Sequence, residues 1–199
     1  MLNYETLNSV LQSFVPELNL EASDVEAISK YLVPTQINKG GFLCEKGKMC
    51  NKLGILISGL LYAYFEHEEK EKNVVSRFFY VERNPIVTNY ESFREKTKSN
   101  ETIEALEDSF LLTITNENLN KLYKKIPNLN ILGRYFTENS YLQSLNRNHQ
   151  LQSMKAESRL KMFEKEHKPI LGKVQQQHIA SYLGISAKRL RELHNLKKK

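Results

Sequence analysis

The segment that most restricts the fold lies near the end of the chain, where residues 176 to 195 read QQHIASYLGISAKRLRELHN. Ile179, Leu183, Ile185, Leu190 and Leu193 recur at the spacing of two short amphipathic helices packed on each other. Ala180 is small where the second helix must cross the first, and Gly184 follows where a tight turn calls for positive φ. Ser186 is placed to cap the second helix, which turns Ala187, Lys188, Arg191, Glu192 and Asn195 outward. A functionless helical hairpin shares some of these features by chance. Small residue, turn glycine, cap and five apolar positions together favour a helix-turn-helix.

Charge is distributed as such a motif requires. From residue 150 onward the chain holds twelve Lys and Arg against four acids, whereas residues 1 to 149 hold 17 against 19. The net charge of +6 therefore divides into +8 and −2, and the basic part lies where a polyanion would be met. A solvated lysine tail explains only Lys197 to Lys199. Donor chemistry suggests roles. Lys188 can donate to guanine O6 and N7, Glu192 can accept from cytosine N4, and Ala187 can touch a thymine methyl, so these three are the base-reading candidates. Lys173, Gln177, Ser186, Arg189, Lys197 and Lys198 are the phosphate candidates, which orient without specifying. For Arg191 and Asn195, contact and plain solvation are equally compatible with the sequence.

Upstream, the patterning changes twice. Residues 1 to 33 have helical spacing through Leu7, Val10, Leu11 and Phe14, then Ser23 and Glu26 in capping-box spacing before Val25, Ile28 and Leu32, until Pro34 stops the pattern. From Thr35 to Thr113 short apolar runs are punctuated by Gly40-Gly41, Gly47, Gly59 and Pro85, which favours strands. Between Asn73 and Val81 both faces are apolar, with Val74, Phe78 and Tyr80 on one and Val75, Phe79 and Val81 on the other. Such a strand is covered on both sides or lines a cavity. After Thr115, a candidate cap, the chain reads as helical past residue 150, with Pro127 early in a helix. Leu129, Leu132 and Phe136 mark one stripe of the long helix and Ile131, Tyr135, Leu142 and Leu145 another. Nothing C-terminal offers enough apolar surface for the second stripe, so the same helix of a second copy is its expected partner, giving a two-fold homodimer. A further short helix is expected from Ala156 to Glu166, ending near Pro169 and Gly172.

Other classes are disfavoured. The longest apolar stretch, Leu53 to Phe65, is too short to span a bilayer and is broken by Gly54, Ser58 and Gly59. The opening MLNYETLNSV lacks the pattern of a signal or transit peptide, so the expected compartment is the cytoplasm, with no membrane association. Cys44 and Cys50 lack metal-ligand spacing and a partner cluster, so neither a disulfide framework nor a metal site is expected. No nucleophile paired with a base and no Walker-type glycine loop is recognisable, so no enzyme and no cofactor is expected.

Two stretches carry a family resemblance. Ile37-x-Lys39-Gly40-x-x-Leu43-x-x-x-Gly47 and Leu53-x-Ile55-Leu56-x-Ser58-Gly59-x-Leu61 resemble the opening strands of the cyclic-nucleotide-binding β-roll. Followed by a long helix and a terminal helix-turn-helix, the chain resembles the Crp/Fnr superfamily of bacterial transcription regulators and is similar to the short Crp-like regulators of Bacteroidetes. The resemblance implies an α+β fold: a β-roll (jelly-roll) sensor over 1–126, a dimerisation helix over 127–154 and a DNA-binding helix-turn-helix over 155–199. The family's phosphate cassette has a Gly-Glu pair and, some ten residues later, Arg-Ser/Thr-Ala. Here IVTNYESFREKTKSNETI aligns with it, so Ser99, Asn100 and Glu101 replace the last three residues and no Gly-Glu precedes them. A cyclic phosphate would lie there without its guanidinium, and no cAMP response is expected unless Arg94 substitutes. A lone His67 amid glutamates reads as a surface turn residue and not a haem ligand, and no cysteine precedes Cys44 to hold an iron-sulfur cluster.

At the recognition helix the family pattern of Arg-Glu followed by Arg falls on Ala187, Lys188 and Glu192, so the usual operator is not expected. An unidentified small effector is expected to lie against Tyr62, Tyr64, Phe78 or Tyr80, unless those rings close the pocket themselves. The sequence ends without the β-hairpin wing of many members, which keeps open a sensor or protein-interaction module that has lost effective DNA binding.

Overall fold

The computed structural model of the protein describes residues 12, 15, 20–67 and 72–196. The expected helix through Leu7, Val10, Leu11 and Phe14 lies outside them, as do Lys197 to Lys199.

Among the described residues the punctuated apolar runs form eight strands in two antiparallel sheets. One sheet has the order β1 (Val33–Ile37), β8 (Ser109–Thr115), β3 (Lys52–Ser58), β6 (Ile86–Val87). The other has β2 (Phe42–Cys44), β7 (Thr102–Ala105), β4 (Leu61–Glu66), β5 (Asn73–Phe79). Strand alternation decides what lies between them. Leu56, Leu61, Ala63, Phe79, Ile103 and Leu111 meet in the interior with the free thiols Cys44 and Cys50. Their chain neighbours point outward: Ile55, Leu112 and Ile114 on one side, Leu60, Tyr62 and Phe78 on the other. Both outer faces are covered, which is why the strands lack polar alternation. At the β3–β4 turn Gly59 has φ +104, and a Cβ there would come within 2.3 Å of Ser109 Oγ. Only glycine fits.

Strand β5 corrects the simple two-face reading. Ala63 pairs with Arg77 but Tyr64 pairs with Val75, so Ser76 is an extra residue opposite β4. This bulge moves Val75 onto the outer face with Phe78 and Tyr80 and leaves Phe79 inside.

Helix α1 (Ala22–Ser29) starts from Glu21, whose N–H donates to Asp24 Oδ2 at 3.2 Å, and not from a Ser23–Glu26 box. Glu26 pairs with Lys30 instead, at 2.8 Å. A short α2 (Tyr90–Glu95) is capped by Asn89, which accepts from Ser92 N at 2.8 Å. Thr115 caps α3 (Asn116–Lys125) as its hydroxyl predicts, accepting from Asn118 N. The helix does not then run unbroken. The chain turns at 126–128, and α4 (Leu129–Ser153) begins after Pro127, whose carbonyl accepts from Asn130 N at 3.0 Å. The ring of Pro127 removes the donor a continuous helix would need.

Leu129 and Leu132 of α4 bury themselves with Ile28, Ile114 and Leu122 against the first sheet. Ile131, Tyr135, Leu142 and Leu145 stay 40 to 54% exposed along the rest of the helix. The C-terminal helices α5 (Ala156–Glu166), α6 (Gln176–Tyr182) and α7 (Ala187–Leu196) carry more apolar surface than the sequence suggests. It faces the second sheet and not this stripe: Leu160, Phe163, Ile170, Ile179, Leu183 and Leu190 join Leu60, Val75 and Phe78 in one core. No helix of the described residues is long and apolar enough to cross a membrane.

Candidate nucleic-acid interface

The site is built from α6, the turn at 183–186, and α7. Ile179, Ala180, Leu183, Leu190 and Leu193 are all buried at 3% exposure or less, so the two helices share a continuous contact. Within the turn Gly184 has φ +66, its N–H donates to the Ser181 carbonyl at 3.0 Å, and Ile185 N–H donates to the Ala180 carbonyl at 3.0 Å. The turn is thus closed by its own backbone. Ser186 Oγ accepts from Arg189 N–H at 3.1 Å, the capping contact expected of it.

Burying Leu190 and Leu193 fixes the opposite face. Ala187, Lys188, Arg191, Glu192 and Asn195 are all exposed on one side of α7, as their helical spacing requires. Arg189 is also exposed and pairs with Glu192 at 3.0 Å, an interaction that holds two of the candidate residues in one unit. Gln177 bonds Gln175 at 2.8 Å near the start of α6. Lys173 reaches away from the helices to Glu107 of the β-roll, at 3.1 Å.

Sequence reasoning misses the residues that hold this unit in place. Arg159 Nε donates to the Leu183 carbonyl at 2.9 Å and Nη1 to the Met154 carbonyl at 2.6 Å, tying the start of α5 to the end of α6. Arg147 of α4 donates to the Val75 carbonyl, and Ser181 of α6 bonds the edge of β5. These partners lie 72 and more than 100 residues apart in the chain, and no local pattern reveals them.

The proposed effector aromatics have other partners. Tyr62 stacks on His178 of α6, with ring centres 4.7 Å apart at 25°, while the hydroxyls of Tyr62 and Tyr64 donate to Glu104 Oε2 at 3.1 and 3.2 Å. Phe78 meets Phe163 edge-on, and Tyr80 Oη lies 3.1 Å from His167 Nδ1. Burial raises the Tyr80 phenol to about 12 and lowers the His167 imidazole to about 3, so both are neutral near pH 7. These rings join the β-roll to the C-terminal helices. A separate cavity of about 1330 Å³ runs between the β-roll and α4, past Leu53, Arg77, Phe79, Tyr123 and Phe136, and of the four aromatics it touches only Phe78.

The cassette region is filled from within. Glu101 is 1% exposed and accepts from Ser76 Oγ at 3.2 Å and from Arg77 Nη2. Arg94 points outward and pairs with neighbouring Glu95, so it does not replace the missing guanidinium.

No protein-family model and no curated protein sequence matches the chain. Solved structures do share its fold. The c-di-GMP-responsive global regulator CLP of Xanthomonas campestris has a TM-score of 0.69 at 15% identity, over 89% of this chain and 92% of that one. FixK2 of Bradyrhizobium japonicum has 0.69 at 12%, over 83% of each chain. A protein of Eubacterium rectale assigned to the Crp/Fnr family of transcriptional regulators has 0.70 at 19%, over 94% of this chain and 88% of that one.

Proposed function

We propose that this chain, which has the fold of the Crp/Fnr regulators, is a dimeric DNA-binding transcription regulator whose helix-turn-helix is α6 and α7. The observation that carries this reading is the division of α7: Leu190 and Leu193 are locked into a core while Ala187, Lys188, Arg191, Glu192 and Asn195 form one exposed face. A helix held by its apolar side, with two cations, a carboxylate and an amide displayed along the other, suits major-groove reading. Ala187, Lys188 and Glu192 read bases. Lys173, Gln177, Ser186, Arg189 and the lysines at 197 and 198 hold phosphates.

The exposed stripe Ile131, Tyr135, Leu142 and Leu145 supports pairing of α4 with α4 of a second copy, since so much apolar surface along one helix face is rarely left in water. Paired recognition helices would then read a two-fold operator. The cavity beside α4 offers an effector a place next to that interface, for a small molecule other than a cyclic nucleotide.

Fluorescence polarisation with promoter DNA from beside the gene tests the reading. Log affinity should fall with log salt at about −0.9 per phosphate neutralised, and removing Lys197 to Lys199 should flatten that slope. Binding to no DNA at low salt would leave a β-roll sensor or protein-interaction module as the function.

A further inference from the structure

Helix α6 is bound to the β-roll as well as to α7. Strand β5 is the last strand of its sheet, so its outer N–H and C=O groups have no strand to pair with. Side chains take that place. Val75 N–H donates to Ser181 Oγ at 2.9 Å, Ser181 Oγ donates to the Asn73 carbonyl at 2.9 Å, and Arg147 Nη2 donates to the Val75 carbonyl at 3.1 Å. Val75 itself is fully buried, so its amide has no route to water while α6 is docked. Around this edge His178 stacks on Tyr62, Lys173 pairs with Glu107, and Arg83 of the roll pairs with Glu166 of α5 at 2.8 Å.

We propose that this contact is an autoinhibitory latch: with α6 clamped on β5 the chain binds DNA weakly, and tight binding requires α6 and α7 to leave the β-roll together. The inference rests on the reading of α6 and α7 as a DNA-binding unit. Three observations give the latch its sign. The first helix of such a unit has to lie across the phosphate backbone, and here one side of α6 is occupied by β5. Lys173, a phosphate ligand in that reading, is already neutralised by a carboxylate of the roll. Glu104 and Glu107 both contact this docked layer, Glu104 through the ring that stacks on His178, and thus bring two negative charges close to where phosphates would approach. Release removes both carboxylates and frees Lys173, while the core between α6 and α7 moves intact.

The two-state arrangement makes the amide of Val75 its own reporter. Ser181→Ala removes the hydroxyl without adding bulk and leaves that amide without an acceptor only in the docked state, so it disfavours docking without touching the exposed face of α7. Glu107→Gln frees Lys173 from the roll side. Ser181→Ala should tighten binding to promoter DNA by about tenfold, the factor matching ~1.4 kcal/mol for one orphaned buried donor, and Glu107→Gln should act in the same direction. In the wild-type protein, hydrogen exchange at Val75 should quicken when DNA is added, while Leu61 and Ala105 in the roll interior keep their protection and show that the fold is intact. Unchanged or weaker binding by both variants, with Val75 equally protected on DNA, would overturn the latch and leave the DNA-binding reading standing. Absence of DNA binding by wild type and variants alike would overturn that reading and the latch with it.

Discussion

The guanidinium of Arg147 lies 3.8 Å from the ring centre of Tyr182 and also donates to the Val75 carbonyl at 3.1 Å. One side chain of the long helix thus grips both the β-roll and α6. A desolvated cation–π contact contributes about 2 kcal/mol and an orphaned buried acceptor costs about 1–3 kcal/mol, so Arg147→Ala should lower stability by about 3–5 kcal/mol. Lysine keeps the charge but not the flat stack, and Arg147→Lys should recover less than half of the loss. Denaturant titration measures both; an alanine variant within about 0.5 kcal/mol of wild type would show that the contact is idle.

The exposed stripe of α4 makes the oligomeric state testable by charge. Leu142→Glu and Leu145→Glu place carboxylates where the second copy should pack, at positions that are 54% and 45% exposed in the single chain. Either change should convert a dimer to a monomer in sedimentation while leaving the far-ultraviolet circular dichroism as it was. DNA affinity should fall with it, because half-sites bound singly lose the gain of linkage. A dimer that survives both charges has its interface elsewhere.

Specificity should divide along α7. Lys188→Ala should relax preference at one position of each half-site by about 1–3 kcal/mol, whereas Arg189→Ala should weaken all sequences alike. Because Arg189 is paired with Glu192, its removal also frees a carboxylate, so the loss on random DNA should exceed that of removing a phosphate ligand alone. Equal losses on operator and random DNA for both variants would contradict this division.

Cyclic nucleotides should leave the protein unchanged. Glu101 is buried and ionically paired with Arg77 in the region where a cyclic phosphate would need a cation, so a carboxylate stands in its way. A ligand shifts an equilibrium only through its differential affinity, and here that difference should be near zero. Calorimetry with millimolar cAMP or cGMP should give no saturable heat; a micromolar dissociation constant would mean that Arg77 exchanges Glu101 for the phosphate.

Acid should loosen the junction before it unfolds the β-roll. His167, 3% exposed, stacks on Phe163 and is held neutral, its pKa lowered to about 3 mainly by burial and also by Arg83 and Arg147. The unfolded chain takes up this proton near pH 6.5 and the folded chain does not, so stability is complete above that value and falls between pH 6.5 and 3. The loss should reach about 2 kcal/mol at pH 5. His178, lowered in the same direction by burial, adds to it. His167→Phe keeps the stacking and should flatten the profile; a slope identical to wild type would assign the acid sensitivity to other groups.

The parts of this fold that were legible in the sequence are those fixed by local chemistry. Gly184 and Ser186 announce a turn and a cap because φ and a hydroxyl act within a few residues, and Thr115 does the same for α3. The two stripes of α4 could be read from periodicity alone. What could not be read depends on partners far away in the chain. Tyr62, Phe78 and Tyr80 look like pocket walls because aromatic residues suit both a ligand and a helix, and only the docking of α5 and α6 decides between them. The replacement of Arg-Ser-Ala by Ser99, Asn100 and Glu101 was visible, but not that Arg77 would turn to meet Glu101.

The bulge at Ser76 carries a consequence for how the chain tolerates change. An extended strand shows any given side chain to one side only, so a single sheet cannot put neighbours such as Val75 and Phe78 against one platform without an added residue. Ser76 is that residue, and its hydroxyl is tied to the Ala63 carbonyl and to Glu101. Taking Ser76 into the ladder residue for residue would restore perfect pleating while turning Val75 inward and moving Asn73 into the other phase. The β-roll could close as before, yet the C-terminal helices would lose their seat. Communication between the two halves of this molecule is therefore encoded as an irregularity, and a more ideal strand would make a more independent pair of domains.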